Sequence, residues 1–399
     1  MFTGQWGAPT LQQTKFQFGA DARLATAGAA THPEKDPLLL EPRSANLGRS
    51  GSGTSVLQLV HSDEGGGVEA LAQMISDGLQ RSGARVETRF IYPGISATTA
   101  QKLRGVAGAI MKIARTRPDT LIAYQSTASV IVGFIGALVG CKRRIVHQTA
   151  MPDEIHPAVR LLDAAMGSAG LYSINIANSA ATEHAFRHYP QRYRRNLRRI
   201  DHGLDAPKAR HPRAEVLPRY AVPDDGLLLL NAGRLCDQKG QNQIIRALPH
   251  VTGARLILAG GGPNENHLRE LARSLGVADR IHFLGIVSRE ALGDLLGAVD
   301  VFVFPSKWET FGLAAVEAAM AGVAIVAADL PVLREVLSVG GSEPVSFVDP
   351  DDTLAFAAAI GAQRTRTNGD LDKFAQAIRA KYSRSRMLAA YNELVVAAE

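Results

Sequence analysis

At 399 residues, 46% hydrophobic and 21% charged, the chain has room for two folded domains with real cores and falls outside the disordered and fibrous classes. Its formal net charge of +6 suits an anionic ligand or an anionic membrane surface and does not by itself point to nucleic acid. The two cysteines, Cys141 and Cys236, exclude a disulfide framework and offer no metal-ligand spacing, so a reducing cytoplasm is expected.

Residues 1–52 lack sustained periodicity and end in a Gly/Ser run; they read as a disordered tail. No basic start followed by an apolar core marks a secretory signal. The longest apolar run, Val130 to Cys141, is about half of the roughly 20 residues a membrane span needs and reads as a buried helix.

From there short apolar runs alternate with longer amphipathic ones. Ser55–Val60 reads as a strand, Gly65–Gly67 as a loop and Val68–Arg81 as a helix. Arg85–Ile91, Thr120–Tyr124, Arg144–His147 and Tyr172–Ala177 read as further strands, each followed by a helical stretch. That alternation means a parallel sheet covered on both faces. Pro207, Pro212, Pro218 and Pro223 break the region 206–225, which reads as a linker between a first domain, 53–205, and a second, 226–380. In the second domain Leu227–Ala232, Arg255–Ala259, Ile281–Leu284, Val301–Phe304, Ala324–Ala327 and Val345–Val348 read as strands, apolar enough to be buried on both faces. The expected fold class is α/β: two Rossmann-like, doubly wound parallel-sheet domains facing a cleft. Ligands of such sheets bind beyond the carboxyl ends of the strands.

Four stretches carry candidate chemistry. In the first, Phe304 to Gly322, a strand gives way to a loop and then a helix. Glu309 lies in the loop and Glu317 on the helix. Around Thr310, Phe311, Gly312 and Leu313 the first amides of the helix lack internal partners and favour an anion such as a diphosphate. A carboxylate beside them can accept hydrogen bonds from sugar hydroxyls. Alternatively Glu309 caps the helix and Glu317 is solvated, although its small apolar neighbours make an unpartnered carboxylate there costly.

The second stretch pairs Arg234 with Lys239 after a strand end. The two suit phosphate oxygens, or they are solvated cations of a surface loop. The third, Gly260-Gly261-Gly262, permits close backbone approach to a ligand or simply makes a tight turn. The fourth, Gly65-Gly66-Gly67, lacks the dinucleotide spacing; a glycine turn facing a phosphate or sugar remains open.

In their order and spacing these motifs, with Asn178-Ser179, Gly203-Leu204-Asp205 and Phe283-Leu284-Gly285, resemble the family-4 retaining glycosyltransferases of bacteria, of GT-B architecture. The resemblance covers about residues 55 to 397. It implies donor binding by Gly66, Gly67, Arg234, Lys239, Gly261, Glu309, Thr310, Phe311, Gly312, Leu313 and Glu317. Arg234 and Lys239 would hold the diphosphate and Glu317 the ribose. Glu309 and the amides of Phe311, Gly312 and Leu313 would hold the transferred sugar and the distal phosphate. Glu309 and His147 are the implied catalytic residues, though His147 could equally be a satisfied histidine at a strand end. Residues 381–399 would form the terminal helix that crosses back to the first domain.

No metal or other cofactor is expected. The segment Asp329 to Glu335 departs from the Gly-Gly pair of many relatives, which removes it as a guide to the donor. The implied activity is hexose transfer from a UDP- or GDP-sugar to a glycan or lipid-linked acceptor, in exopolysaccharide, lipopolysaccharide or glycolipid synthesis. The alternatives are an inactive sugar-nucleotide-binding scaffold and a sugar-nucleotide epimerase. Arg187, Arg192, Arg194, Arg195, Arg198 and Arg199, interleaved with Phe186, Tyr189 and Tyr193, form either a solvated basic face or a dock for anionic lipid on the inner face of the plasma membrane.

Overall fold

The computed structural model describes residues 53–62, 67–92, 94, 97–339, 344–363 and 368–395, all within one compact unit, Ala45–Glu399. The tail read over residues 1–52 lies outside them, as does Gly66.

Among the described residues there are two six-stranded sheets. The first holds β1 (Ser55–Ser62), β2 (Arg85–Tyr92), β3 (Thr120–Tyr124), β4 (Arg143–His147), β5 (Ile174–Ala177) and β6 (Leu197–Arg199) in the order β2-β1-β3-β4-β5-β6. The second holds β7 (Leu227–Ala232), β8 (Ala254–Ala259), β9 (Ile281–Gly285), β10 (Val301–Phe304), β11 (Ala324–Ala328) and β12 (Val345–Val348) in the order β12-β11-β10-β7-β8-β9. Neighbouring strands pair in parallel throughout. Central strands such as Leu227–Ala232 are buried at every position, as continuous apolar runs require. The edge strand Arg85–Tyr92 has charged residues at partly exposed positions, which discourage further pairing. Strand β6, in the arginine-rich stretch, had no apolar run to announce it.

Strand order reverses beside β1 in the first sheet and between β7 and β10 in the second, the places where doubly wound sheets open a crevice. Backbone pairing of β7 with β10 stops at Leu230 and Phe302. Beyond it Asn231 Nδ2 donates to the Val303 carbonyl at 2.8 Å. A buried amide thus spans the gap where the ladder opens.

One side of each sheet contributes to a continuous apolar cluster, running from Val56 and Ile75 through Phe311 and Val316 to Met387 and Tyr391. The outer faces have cores of their own. The helix Arg384–Val395 lies on the first domain: Arg143 donates to the Val395 carbonyl at 3.0 Å, and Leu388 fills the space that Gly78 leaves.

The proline-broken region read as a linker contains a helix, Arg213–Arg219. Pro212 precedes its first turn; Pro218 falls in its last, where it forgoes a helical hydrogen bond, and the helix ends one residue later. Arg213 ties it down through Asp224 at 2.6 Å and Asp300 at 2.8 Å.

Candidate functional site

The carboxyl ends of β7, β8 and β10 converge. Gly233 N donates to the Ala259 carbonyl and Leu235 N to the Gly261 carbonyl, both at 3.0 Å. This puts the Arg234 turn against the glycine turn. Gly260 has φ +151° and would bring a Cβ within 2.0 Å of the Gly233 carbonyl oxygen. A Cβ on Gly262 would lie 2.3 Å from the Leu235 oxygen. Glycine is therefore forced at 260 and 262. At Gly261 a Cβ would make only ordinary contact with Ile286.

The turn Asp237–Lys239 then crosses to the loop after β10. Gln238 accepts from Lys307 N at 2.8 Å and donates to the Trp308 carbonyl at 3.1 Å. Lys239 Nζ lies 2.5 Å from Glu309 Oε1, so the loop carboxylate is buried and already partnered by a cation. Glu309 and Lys239 are brought together; Arg234 is exposed one turn of chain away.

The helix after this loop, Leu313–Ala321, starts at Gly312, which has φ +83° and no side chain to cap the amides that follow. Its first turn is an open donor end, with the partial positive charge of a helix N-terminus. Facing it from the first domain is Gly67, the first residue of the helix Gly67–Arg81: a Cβ there would sit 2.8 Å from Leu313 Cδ1. One turn further along, Glu317 meets Arg289 at 3.5 Å. Burial pushes its carboxyl above the ordinary carboxylate range, and Arg289 pulls it back. Among the described residues no group of three His, Cys, Asp or Glu side chains is placed to hold a metal ion.

His147 lies deeper. Its ring is 1% exposed and stacks 5.4 Å from Tyr124 and 5.4 Å from His202. Neither ring nitrogen has a hydrogen-bond partner, and burial lowers its pKa to about 4, so the imidazole is neutral. His202 in turn packs edge-on against Phe311 at 4.9 Å, and Phe311 against Tyr382 at 5.1 Å. The Phe311 side chain thus belongs to an aromatic column with His202 and Tyr382.

The sequence reading assigned no role to Arg289, His202, Thr182 or Glu335. Arg289, His202 and Glu335 meet Glu317, Asn178 and Ala180, all more than 20 positions away. Thr182 adds to its local bonds with Asn178 and Ser179 a contact to the Thr310 carbonyl; no local spacing marks these long-range contacts. Asn178 and Ser179 were noted as motif residues; both reach Thr310.

Residues 213–362 match the family model of glycosyl transferases group 1. This segment is similar to the group 1 glycosyl transferases. It contains every second-domain residue of the site. The D-inositol 3-phosphate glycosyltransferase of Xylanimonas cellulosilytica is 37% identical over 157 residues, which are 38% of this chain and 37% of that protein. The lipopolysaccharide core biosynthesis mannosyltransferase LpsB of Rhizobium meliloti is 32% identical over 211 residues, 46% of this chain and 59% of LpsB. The chain thus spans well under two thirds of the length of these curated relatives. Around this segment the whole fold is that of the GT-B glycosyltransferases. Anabaena HepE in complex with UDP-glucose superposes with a TM-score of 0.75 at 20% identity, over 86% of this chain and 100% of HepE. WaaG, described as a glycosyltransferase involved in lipopolysaccharide biosynthesis, superposes with a TM-score of 0.66 at 13% identity, over 86% of this chain and 100% of WaaG.

Proposed function

We propose that the protein transfers a hexose from a UDP- or GDP-sugar to a glycan or lipid-linked acceptor, with retention at the anomeric carbon and without a metal ion. The observation that carries this reading is the uncapped start of the helix Leu313–Ala321 at Gly312, beside the Lys239–Glu309 pair. It sits in a segment similar to the group 1 glycosyl transferases. In this reading the open amides and Lys239 would serve a diphosphate, and Glu309 the sugar hydroxyls.

In this reading Lys239 and Arg234 take the diphosphate. Lys239 turns from Glu309 to a phosphate oxygen, which frees the carboxylate to accept from the sugar. Glu317 exchanges part of its contact with Arg289 for the ribose hydroxyls. The bond from the anomeric carbon to the phosphate oxygen breaks. The acceptor oxygen bonds to that carbon from the same face, and its proton passes to a phosphate oxygen of the leaving group. The charge that develops there is stabilised by groups already in place. That HepE is seen in complex with UDP-glucose, and that LpsB is a mannosyltransferase, supports the donor class.

Thermal-shift screening against UDP- and GDP-sugars tests donor binding; at a hundredfold excess over Kd the bound donor adds about 2.7 kcal/mol of apparent stability. Transfer is then measured with excess chelator. It is expected to persist; its abolition, with rescue by manganese or magnesium, would overturn the metal-free reading.

A further inference from the structure

The turn Asn178–Thr182 of the first domain reaches the second at two points. At the first, Glu335 of the helix Pro331–Leu337 accepts hydrogen bonds from two backbone amides, Ala180 N to Oε1 at 2.6 Å and Ala181 N to Oε2 at 2.7 Å. These are the opening amides of the helix Ala180–Ala185, and no carbonyl of that helix can satisfy them. One carboxylate from the other domain caps both. At the second point Asn178 Nδ2 donates to Thr310 Oγ1 at 3.1 Å, and the Thr310 carbonyl lies 2.9 Å from Ser179 Oγ and 3.2 Å from Thr182 Oγ1.

Both points bear on the same loop. Thr310 follows Glu309 and leads into Gly312. The helix that carries Glu335 also carries Leu333, whose Cδ2 fills the space above Gly312: a Cβ there would meet it at 2.7 Å. Lys381 Nζ, in the segment that crosses back, holds the Glu335 carbonyl at 3.0 Å. The loop is thus gripped from in front by Asn178, Ser179 and Thr182, and from behind by the helix that Glu335 anchors.

We propose that Glu335 is a positioning residue for transfer. Its two-pronged cap on Ala180 and Ala181, with the Thr310 contacts, sets the register of the domains so that the loop Glu309–Leu313 faces Gly67 at the reacting geometry. This rests on the reading of the cleft as the donor site. Glu335 touches no substrate; it acts through Thr310 and Gly312.

Three substitutions test the clasp from both sides. Glu335→Gln keeps the shape but turns one acceptor into a donor facing an N–H. Glu335→Ala removes both acceptors. Ala180→Pro removes one amide from the opposite domain at the first helical position, where proline is favoured. It follows Ser179, already extended at φ −155° and ψ 164°, as a residue before proline should be.

Hydrogen exchange at the amides of Ala180 and Ala181 reads the clasp without any assumption about ligand. They are expected to exchange slowly in the native chain and at least tenfold faster in Glu335→Ala. With UDP-glucose and GDP-mannose as donor probes, each of the three variants is expected to lose tenfold or more in kcat. The Kd for UDP or GDP, bound by the second domain alone, should change by less than threefold. The double variant Ala180→Pro with Glu335→Ala should be no slower than Glu335→Ala alone. Fast exchange in the native chain, native turnover in Glu335→Ala, or multiplying losses in the double variant would overturn the proposal. Failure of both probes to bind or react would overturn the donor-site reading, while the exchange measurement still decides the clasp.

Discussion

Glu309 and Glu317 have only seven residues between them, yet they meet different cations. Glu309 is held by Lys239 at 2.5 Å and Glu317 by Arg289 at 3.5 Å. If the sugar lies at Glu309, its hydroxyls and ring shift there as the glycosidic bond breaks. The ribose at Glu317 stays put. Interactions that strengthen in the transition state govern turnover, and uniform ones govern apparent affinity. Glu309→Gln is therefore expected to lower kcat strongly. Glu317→Ala should chiefly raise the donor KM, by the equivalent of about 1.5–3 kcal/mol for hydrogen bonds to a charged group. Near-normal kcat in Glu309→Gln would move the sugar elsewhere. His147 gives a pH signature. Its folded pKa of about 4 lies below its ordinary 6.5, so between these values the unfolded chain binds more protons. Stability is full above about pH 6.5 and falls as pH drops towards 4. Thermal midpoints across that window should fall less in His147→Phe than in the native protein; equal falls would show that this ring is not the source.

At the scale of elements, the site is a set of strand-to-helix turns whose backbone leaves no room for side chains. Gly240, at φ +64°, would put a Cβ 2.3 Å from the Pro305 carbonyl oxygen. This contact lets the Lys239 turn seat beneath the Glu309 loop. Gly312 combines φ +83° with the Leu333 contact. Alanine at Gly312 should cost about 1–2 kcal/mol for the left-handed backbone and weaken donor binding as well, because the helix start moves. Alanine at Gly240 should cost more, since it meets a fixed carbonyl and not a movable side chain. Gly361, in the last turn of the helix Thr353–Ala362, has nothing within reach of a Cβ, so Gly361→Ala should stabilise by about 0.5 kcal/mol. Denaturant melts of the three variants check the ranking; a neutral Gly240→Ala would mean the turn is not tightly seated.

Across the whole molecule, the six arginines read as a lipid dock are all exposed, while Phe186 and Tyr193 between them are buried. Tyr193 donates to Asp163 at 2.7 Å and packs with Phe186 and Tyr189. Phe186 and Tyr193 build the fold, while the arginines face outward. Leu161, 72% exposed on the helix Pro157–Ser168, supplies an apolar residue on the same domain. Among the described residues no helix is long and apolar enough to cross a membrane. If this surface docks on anionic lipid, each basic residue near the headgroups adds about 1 kcal/mol. Binding to vesicles containing an anionic lipid should then exceed binding to neutral vesicles at low salt and collapse at high salt. Equal sedimentation with both would leave the arginines as a solvated face.

What the sequence determined by itself was local. Apolar runs such as Leu227–Ala232 and Val301–Phe304 read as strands buried on both faces, and the Gly312 turn as the start of a helix, because run length and turn chemistry are set within a few residues. The alternation of elements was enough to imply two doubly wound sheets. Strand β6 and the helix Arg213–Arg219 escaped because arginines and prolines mask a short element whose stability comes from its neighbours. Sheet order, and with it the crevice between β7 and β10, depended on which strands pair. The Arg289–Glu317 contact, the burial of His147 beneath His202 and Tyr124, and the Glu335 cap on Ala180 and Ala181 were decided only by the tertiary structure. Each joins groups between 23 and 155 positions apart. A carboxylate in a sequence carries no mark of the amide it will meet; that pairing is fixed by packing two sheets and a returning helix around one shared apolar cluster.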